Sequence, residues 1–202
     1  MGILARTVSL LLVWVGLVGV AQTATAQSDL DDLGVGSFLV ASRDLLDPNF
    51  SHTVVLVLDY NSEGALGVII NRPTEVGLDE MVADLEGLVD RSETVWVGGP
   101  VAHWQVVLLV RSADGIEGAE RVFADVHFTA SRVVLESILE SDEEFRAYAG
   151  YAGWAAGQLE GEIERGGWHV LPGDAEMVFD AEPLELWREL IARGEAQWAW
   201  IP

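Results

Sequence analysis

The hydrophobic positions of the chain follow two periods, and the shorter one marks the strands. Residues 53–60 (TVVLVLDY) are apolar and rich in β-branched side chains up to Asp59, which is typical of a strand buried on both faces. The turn residues 61–64 (NSEG) separate this run from a second one at 65–71 (ALGVIIN), so the two runs form a predicted hairpin. Further short apolar, strand-like segments occur at 36–40, 94–97, 105–110, 121–128 and 169–171.

Apolar residues spaced three and four apart predict helices in other parts of the chain. The segment 78–88 has this spacing, and so does 131–140, which Thr129 or Ser131 would cap. The segment 143–149 continues as a predicted helix into the centre of the chain. A last helix is predicted at 182–192, with Leu184, Trp187, Leu190 and Ile191 on one side.

Hairpins and helices are interspersed along the chain, and this order predicts an α+β fold with a mainly antiparallel sheet. The chain has 202 residues, of which 50% are hydrophobic, so it has enough apolar surface for one packed domain. No internal repeat and no low-complexity linker divides it. A single domain is therefore predicted.

The most informative stretch is 150–168 (GYAGWAAGQLEGEIERGGW). The glycines within 150–153 predict a sharp turn, which is followed by a helix from about Ala155. The glycine pair 166–167 ends that helix. One of its faces carries Trp154, Gln158 and Glu162, which are spaced four apart.

These three side chains have two interpretations. Together with the small residues around them they could line a ligand groove, because small residues let a ligand approach the backbone closely. In the structural alternative, Trp154 fills the core, Gln158 satisfies a loop carbonyl and Glu162 is solvated. The sequence favours the structural alternative without excluding the groove.

The N-terminus has the pattern of a secretory signal peptide. Arg6 precedes an apolar run at 10–21, and Ala24-Thr25-Ala26 forms a small-x-small cleavage site. Residues 1–26 are therefore predicted to be removed, which leaves one domain at 27–202 with a disordered start at 27–35. The predicted location is the periplasm, and the alternative is an uncleaved N-terminal anchor.

Charge and cysteine content exclude several function classes. The formal net charge is −22, and all 11 basic residues are arginines spread along the chain. Such a chain repels phosphate backbones and anionic membrane surfaces, so neither nucleic acid nor a membrane is an expected partner after cleavage. Cysteine is absent, which removes disulfides, thiolate nucleophiles and cysteine metal sites.

Several segments in this order resemble the YqgE/AlgH family. They are FLVASRDLLDPNF (38–50), the predicted hairpin (53–74), VWVGGPV (95–101), the stretch 150–168, VFD (178–180) and Trp187 of ELWREL. The resemblance implies an α+β domain whose bent, bifurcated sheet forms a pseudo-barrel with helices packed outside. It implies no established activity, although the family name comes from a proposed role in regulating alginate production. It also implies a cytosolic location, since most members lack a leader peptide.

Two further segments are candidate ligand-binding positions. The turn Gly98-Gly99-Pro100 could present backbone donors to an anion, or it could be a tight structural turn. Asn71 and Arg72 end a predicted strand, where the guanidinium could hold an anionic ligand or form an internal salt bridge. No cofactor or metal site is predicted, because the four histidines are scattered.

The sequence therefore favours a non-enzymatic binding, regulatory or adaptor domain for a small molecule or a protein partner. Its candidate surface combines the tryptophan helix, the turn 98–100 and the pair 71–72. A carboxylate-based hydrolase using Glu160 or Glu162 with Asp59 is the alternative. A transcriptional regulator is a third reading, which the acidic charge disfavours.

Overall fold

The computed structural model describes residues 29–82 and 93–199. The predicted signal peptide at 1–26 and the end of the predicted helix 78–88 lie outside these residues. Within the described ranges, no helix is both long enough and apolar enough to cross a membrane.

The start of the described chain differs from the prediction of disorder at 27–35. Residues 29–31 form a helical turn, and Leu33 is buried. Leu30 and Leu33 both belong to a hydrophobic cluster with Leu39 of the first strand. These two leucines tie the segment to the sheet, which polar composition alone does not reveal.

The fold is α+β, as the sequence predicts, and its elements alternate along the chain. The strands are β1 (Ser37–Ala41), β2 (Val54–Asn61), β3 (Gly64–Ile69), β4 (Pro73–Gly77), β5 (Thr94–Val97), β6 (Val101–Arg111), β7 (Glu120–Phe123), β8 (Val126–Thr129), β9 (Glu144–Ala155) and β10 (Trp168–Pro172). The helices are α1 (Leu78–Met81), α2 (Arg132–Leu139), α3 (Gln158–Glu164), α4 (Ala175–Phe179) and α5 (Pro183–Ala199).

The ten strands form one sheet that branches at β9. The main path has the order β10-β1-β2-β3-β9-β6-β8-β7, and β4 pairs with β5 beside it. Residues 147–149 of β9 pair in parallel with β5, whereas residues 152–155 pair with β3. All other described pairings are antiparallel. Because the path ends at β10 and β7, the bifurcated sheet is not closed.

The helices cover both faces of this sheet. Leu186, Leu190 and Ile191 of α5 pack on one face of β1 and β2. Leu159 and Ile163 of α3 pack on the opposite face. Since β2 is buried on both faces, its nearly continuous apolar sequence is what the fold requires. The helix α2 covers the branch formed by β5, β6 and β9.

The predicted helix at 143–149 and the predicted sharp turn at 150–153 are both wrong. These residues form β9, the long strand that pairs with β3, β5 and β6. Alanine and glutamate favour helices locally, but pairing on both sides of the strand overrides that preference. The glycines of this segment allow close contacts between strands.

Two helix boundaries also differ from the prediction. Helix α3 begins at Gln158 and not near Ala155, because Gly157 takes a left-handed conformation with φ 74° and starts the helix there. The last helix extends to Ala199. The prediction that Leu184 lies on the apolar side of this helix is wrong, since Leu184 is 71% exposed. The buried side of α5 is formed by Leu186, Leu190 and Ile191.

Two buried histidines link the stability of the fold to pH. His169 lies in β10 and is 4% exposed. Burial lowers its pKa, and the neighbouring Glu195 raises it by less. Burial also lowers the pKa of His127 in β8. In both cases the folded state disfavours the charged imidazolium.

We expect acid to destabilise the protein through these histidines. A pKa that is lower in the folded state means that the unfolded chain binds more protons once the pH falls below about 6.5. The free energy of unfolding, measured in urea, should therefore fall between about pH 7.5 and about pH 5.5, and the variant His169→Gln should reduce this fall by at most about 1.4 kcal/mol.

The exposed His103→Gln variant is the matched control and should keep the full pH dependence of the wild type. Equal pH dependence in the wild type and in His169→Gln would show that burial of this ring does not control acid stability.

Candidate functional site

An arginine beside the sheet holds the loop between β1 and β2, residues 42–52. Arg72 follows β3, and its guanidinium donates to the carbonyl oxygens of Asn49 at 2.7 Å and Ser51 at 3.0 Å. The sequence leaves open whether Arg72 binds a ligand or pairs with an acid. In the structure its planar fork is engaged with backbone carbonyls, so it positions the 42–52 loop.

The neighbouring Asn71 completes this attachment. It is 6% exposed, its Oδ1 accepts from the backbone N–H of Val54 at 2.9 Å, and its Nδ2 donates to the carbonyl oxygen of His52 at 3.0 Å. His52 has a φ of 58°, a left-handed conformation that is uncommon outside glycine. Such a conformation persists only when surrounding contacts hold it. Here the hydrogen bonds from Asn71 to the His52 carbonyl and from Arg72 to the Ser51 carbonyl hold it.

The 42–52 loop packs against two tryptophans from the stretch 150–168. The ring of Phe50 stacks on Trp154 with centroids 5.9 Å apart and meets the edge of Trp168 at 5.5 Å. Trp154 and Trp168 are perpendicular to each other, with centroids 6.1 Å apart. Edge-to-face and offset aromatic pairs stabilise one another beyond the area they bury. These three rings join the loop to β9 and β10.

Both indole N–H groups of this cluster converge on one carboxylate. Glu162 Oε2 accepts from Trp154 Nε1 at 3.0 Å and from Trp168 Nε1 at 2.9 Å. Glu162 Oε1 accepts from Gln158 Nε2 at 3.0 Å. The three predicted residues 154, 158 and 162 therefore meet, although Trp154 lies on a strand and not on their helix. Three neutral donors and no ion pair hold this carboxylate within the described residues.

The acids proposed for hydrolysis each have separate partners. Tyr60 donates to Glu160 Oε1 at 2.7 Å, and this hydrogen bond raises the pKa of Tyr60. Asp59 is exposed and accepts from Asn61 within the same turn at 3.0 Å. Within the described chain, no hydrogen bond joins Asp59 to Glu160 or Glu162. The geometry gives the hydrolase alternative no specific support.

The turn 98–100 lies where the backbone after β5 passes close to β9. The backbone N–H of Gly98 donates to Ala149 at 2.9 Å, and its carbonyl oxygen accepts another backbone N–H at 2.8 Å. A Cβ on Gly98 would lie 2.2 Å from the carbonyl oxygen of Gly150, and one on Gly99 would also lie 2.2 Å from the β9 backbone. The glycines, followed by Pro100, thus allow backbone contact, and the Gly98 donor is already used.

A cavity of about 220 Å³ lies between the 42–52 loop and the C-terminal end of α3. We call it the Glu162 cavity. Ser42, at the start of the loop, lines it and is 8% exposed; its Oγ is fully buried and has no hydrogen-bond partner among the described residues. The lining also includes Asp44, Glu162, Arg165 and the glycine pair 166–167. Among the described residues, neither Asp44 nor Arg165 forms an ion pair.

Metal binding and nucleophilic catalysis have little support in the described ranges. No group of three or more histidine, aspartate or glutamate side chains is placed to hold a metal ion there. Ser51 Oγ and His52 Nδ1 lie 2.8 Å apart, but they are adjacent in sequence, and no described acid bonds to the His52 ring. A nucleophile activated by histidine needs that ring to be oriented by a third group. We therefore interpret the Ser51–His52 contact as part of the local structure of the 42–52 loop, where His52 has a positive φ.

Sequence reasoning found part of this site and missed the rest. It named Trp154, Gln158 and Glu162. It missed Trp168, although the glycine pair 166–167 reverses the chain and returns the next residue toward the helix. It also missed Phe50 and Ser42, whose distance from Glu162 in the sequence gives no local signal.

We expect the Glu162 carboxylate to be needed for the stability of this centre. In Glu162→Gln, one oxygen can still accept the two indole N–H groups, but the new amide then faces the Gln158 donor. The free energy of unfolding should fall by about 1–3 kcal/mol. The control Glu164→Gln changes an exposed carboxylate of the same helix for which the described part of the chain offers no partner, and it should be neutral. Equal stability of the two variants, measured by tryptophan fluorescence in urea, would contradict the assigned hydrogen bonds.

Comparison with known proteins identifies the family of this chain. A family model described as AlgH-like (DUF179) matches residues 38–199. A UPF0301 protein of Chlorobium luteolum is 36% identical over 163 residues, which cover 79% of this chain and 85% of that protein. A UPF0301 protein of Streptomyces coelicolor is 38% identical over 176 residues, covering 82% and 89% of the two chains.

Solved structures show the same fold. The solution structure of the AlgH protein from Pseudomonas aeruginosa has a TM-score of 0.66 and 31% identity, and covers 78% of this chain and 87% of that one. A crystal structure of a Corynebacterium diphtheriae protein has a TM-score of 0.68 at 23% identity, covers 80% of this chain and 87% of that one, and supports the fold alone. The family model spans most of the described residues, and the relatives cover most of their own length. The chain therefore belongs to the AlgH-like family, whose function is uncharacterised.

Proposed function

We propose that this protein is a non-enzymatic binding domain and that the Glu162 cavity is its ligand site. The observation that supports this most is the Glu162 carboxylate, which three neutral donors fix beside the cavity. A carboxylate held by neutral donors keeps its negative charge for a charge-assisted hydrogen bond to a ligand. The cavity also carries Arg165, whose guanidinium has no described partner.

Rigidity of the surroundings supports recognition. Glu162 is fixed by three donors, and the backbone N–H of Ser42 donates to the carbonyl oxygen of Gly167 at 2.9 Å, which ties the opposite wall to the end of α3. A site whose groups are already positioned binds a ligand without a further loss of side-chain entropy. Asn71 and Arg72 hold the other end of the same loop, at residues 49–52.

We further propose that the protein acts after export to the periplasm. The apolar run and the small-x-small pattern at 24–26 support this location, and the cytosolic location usual in the family is the alternative. An acidic domain outside the cytosol would meet small metabolites and envelope proteins as its partners.

We expect some small molecules to stabilise the protein through this cavity. A ligand that binds the folded state raises the melting temperature with its concentration. In a thermal-shift screen of metabolites, any compound that stabilises the wild type should stabilise Arg165→Ala less. Arg121→Ala is the matched control, because this arginine is also exposed and lies on β7. The proposal fails if no compound shifts the melting temperature, or if every shift is the same in both arginine variants.

We expect the exported protein to begin at Gln27. Cells expressing the full chain should be fractionated, and the N-terminal sequence of the protein should be read from each fraction. Gln27 at the N-terminus of periplasmic material supports export. An intact N-terminus on a soluble intracellular species would refute it, and an intact N-terminus in the membrane fraction would instead support anchoring.

A further inference from the structure

We propose that the edge of β6 at residues 104–107 is a docking surface for an extended, basic segment of another protein, which places an apolar side chain beside Trp104. This surface lies on the branch of the sheet that α2 covers, and it shares no lining residue with the Glu162 cavity. The inference therefore goes beyond the proposed ligand site and stands without it.

The first half of β6 has few paired positions in the described ranges. On one side, β8 pairs with β6 only from Leu108 onward. On the other side, the register with β9 passes from Val101 directly to Val106, so residues 102–105 form a bulge without paired positions. An edge of this kind presents backbone N–H and C=O groups that an extended chain can bind as an additional strand.

The bulge turns a large aromatic side chain toward solvent. Trp104 is 81% exposed, although tryptophan is highly buried on average. Ala102, in the same bulge, has a φ of 48°, which is uncommon outside glycine. Gly150 of β9 lies so close that a Cβ there would come within 2.7 Å of the Val101 carbonyl oxygen. Tight backbone packing thus fixes the bulge, and tryptophan is among the side chains that contribute most to binding at protein interfaces.

A groove of about 110 Å³ lies beside Trp104. Val106 and Leu108 of β6 line it together with Leu135 of α2, and so does Ala130, the first residue after β8. The groove therefore lies where the line of β8 would continue. A segment that pairs with the β6 edge along this line directs alternate side chains to the face that carries the groove, because side chains of a strand alternate between faces.

Charge decides which occupant fits this surface. Exposed acids flank the groove, since Glu136 pairs with the lining residue Arg132, and Asp79 and Glu80 lie in the short helix that ends at the lining residue Val82. A second copy of the chain would bring another net charge of −22, and the two copies would repel each other. A segment with lysine or arginine on either side of its apolar anchor is attracted instead.

Selection from a displayed library of random peptides tests the inference. Peptides that bind the purified protein should combine apolar with basic residues, and Trp104→Ala should weaken the binding of the synthetic peptides by roughly tenfold or more. Leu184→Ala is the matched control, because it removes a similarly exposed apolar side chain from α5, and it should leave binding unchanged. Both variants should keep the melting temperature of the wild type, since both side chains are exposed.

Two further measurements address the backbone and the charge. Methylation of alternate backbone nitrogens in a selected peptide removes the donors on one edge of its strand, and methylation of the other nitrogens removes those on the opposite edge. One of these two methylated peptides should bind roughly tenfold more weakly than the other, because only one edge pairs with β6. Added salt should weaken the binding of the unmodified peptide, because it screens the attraction between exposed charges.

The inference fails if no peptide is selected, if the selected peptides are acidic, or if binding survives Trp104→Ala. Equal binding of the two methylated peptides would refute strand pairing. Sedimentation showing a wild-type dimer that Trp104→Ala converts to a monomer would assign the surface to a second copy. Peptides that bind only after a glycine-serine sequence replaces residues 83–92 would show that the chain itself occupies the groove, which would also overturn the inference.

Discussion

The convergence of two indole N–H groups on Glu162 Oε2 is the interaction on which the rest of the site depends. It joins β9, α3 and β10, which are consecutive in the chain but approach one another from different directions. An indole N–H buried without an acceptor would be costly, so the two tryptophans and the carboxylate require one another. Fixing Glu162 in this way also fixes the floor of the cavity and the orientation of its remaining acceptor.

The 42–52 loop, whose first residues line the cavity, depends on an attachment at its other end. Arg72 and Asn71 bind carbonyl oxygens of the 42–52 loop, and Phe50 inserts this loop against Trp154 and Trp168. The polar residues after β3 and the aromatic residues of the stretch 150–168 therefore act on one loop from two sides. Segments that are far apart in the chain are therefore joined through this one loop.

The sequence predicts the parts of this structure that follow from local pattern. The predicted hairpin of β2 and β3 is confirmed, because the first five residues of β2 are all buried and all apolar, so burial and composition agree. Segment 144–155 cannot be recognised as a strand from its sequence, because its alanines and glycines favour no strand locally and its conformation comes from pairing with neighbours on both sides. Helical spacing correctly pairs Gln158 with Glu162, whereas Trp154 reaches Glu162 from a strand, and Ser42 and Phe50 reach the site through tertiary packing alone.

Charge gives the cavity its chemical character. Across the described surface most arginines are engaged with acids or with backbone carbonyls, so the excess of acidic residues is distributed as solvated negative charge. Solvated carboxylates attract cations only weakly, because water and salt screen them. Glu162 differs because it is partly buried and its three donors are neutral, and screening is weaker for a charge that is removed from water. A cationic group placed beside Glu162 therefore gains more than the same group at the general surface.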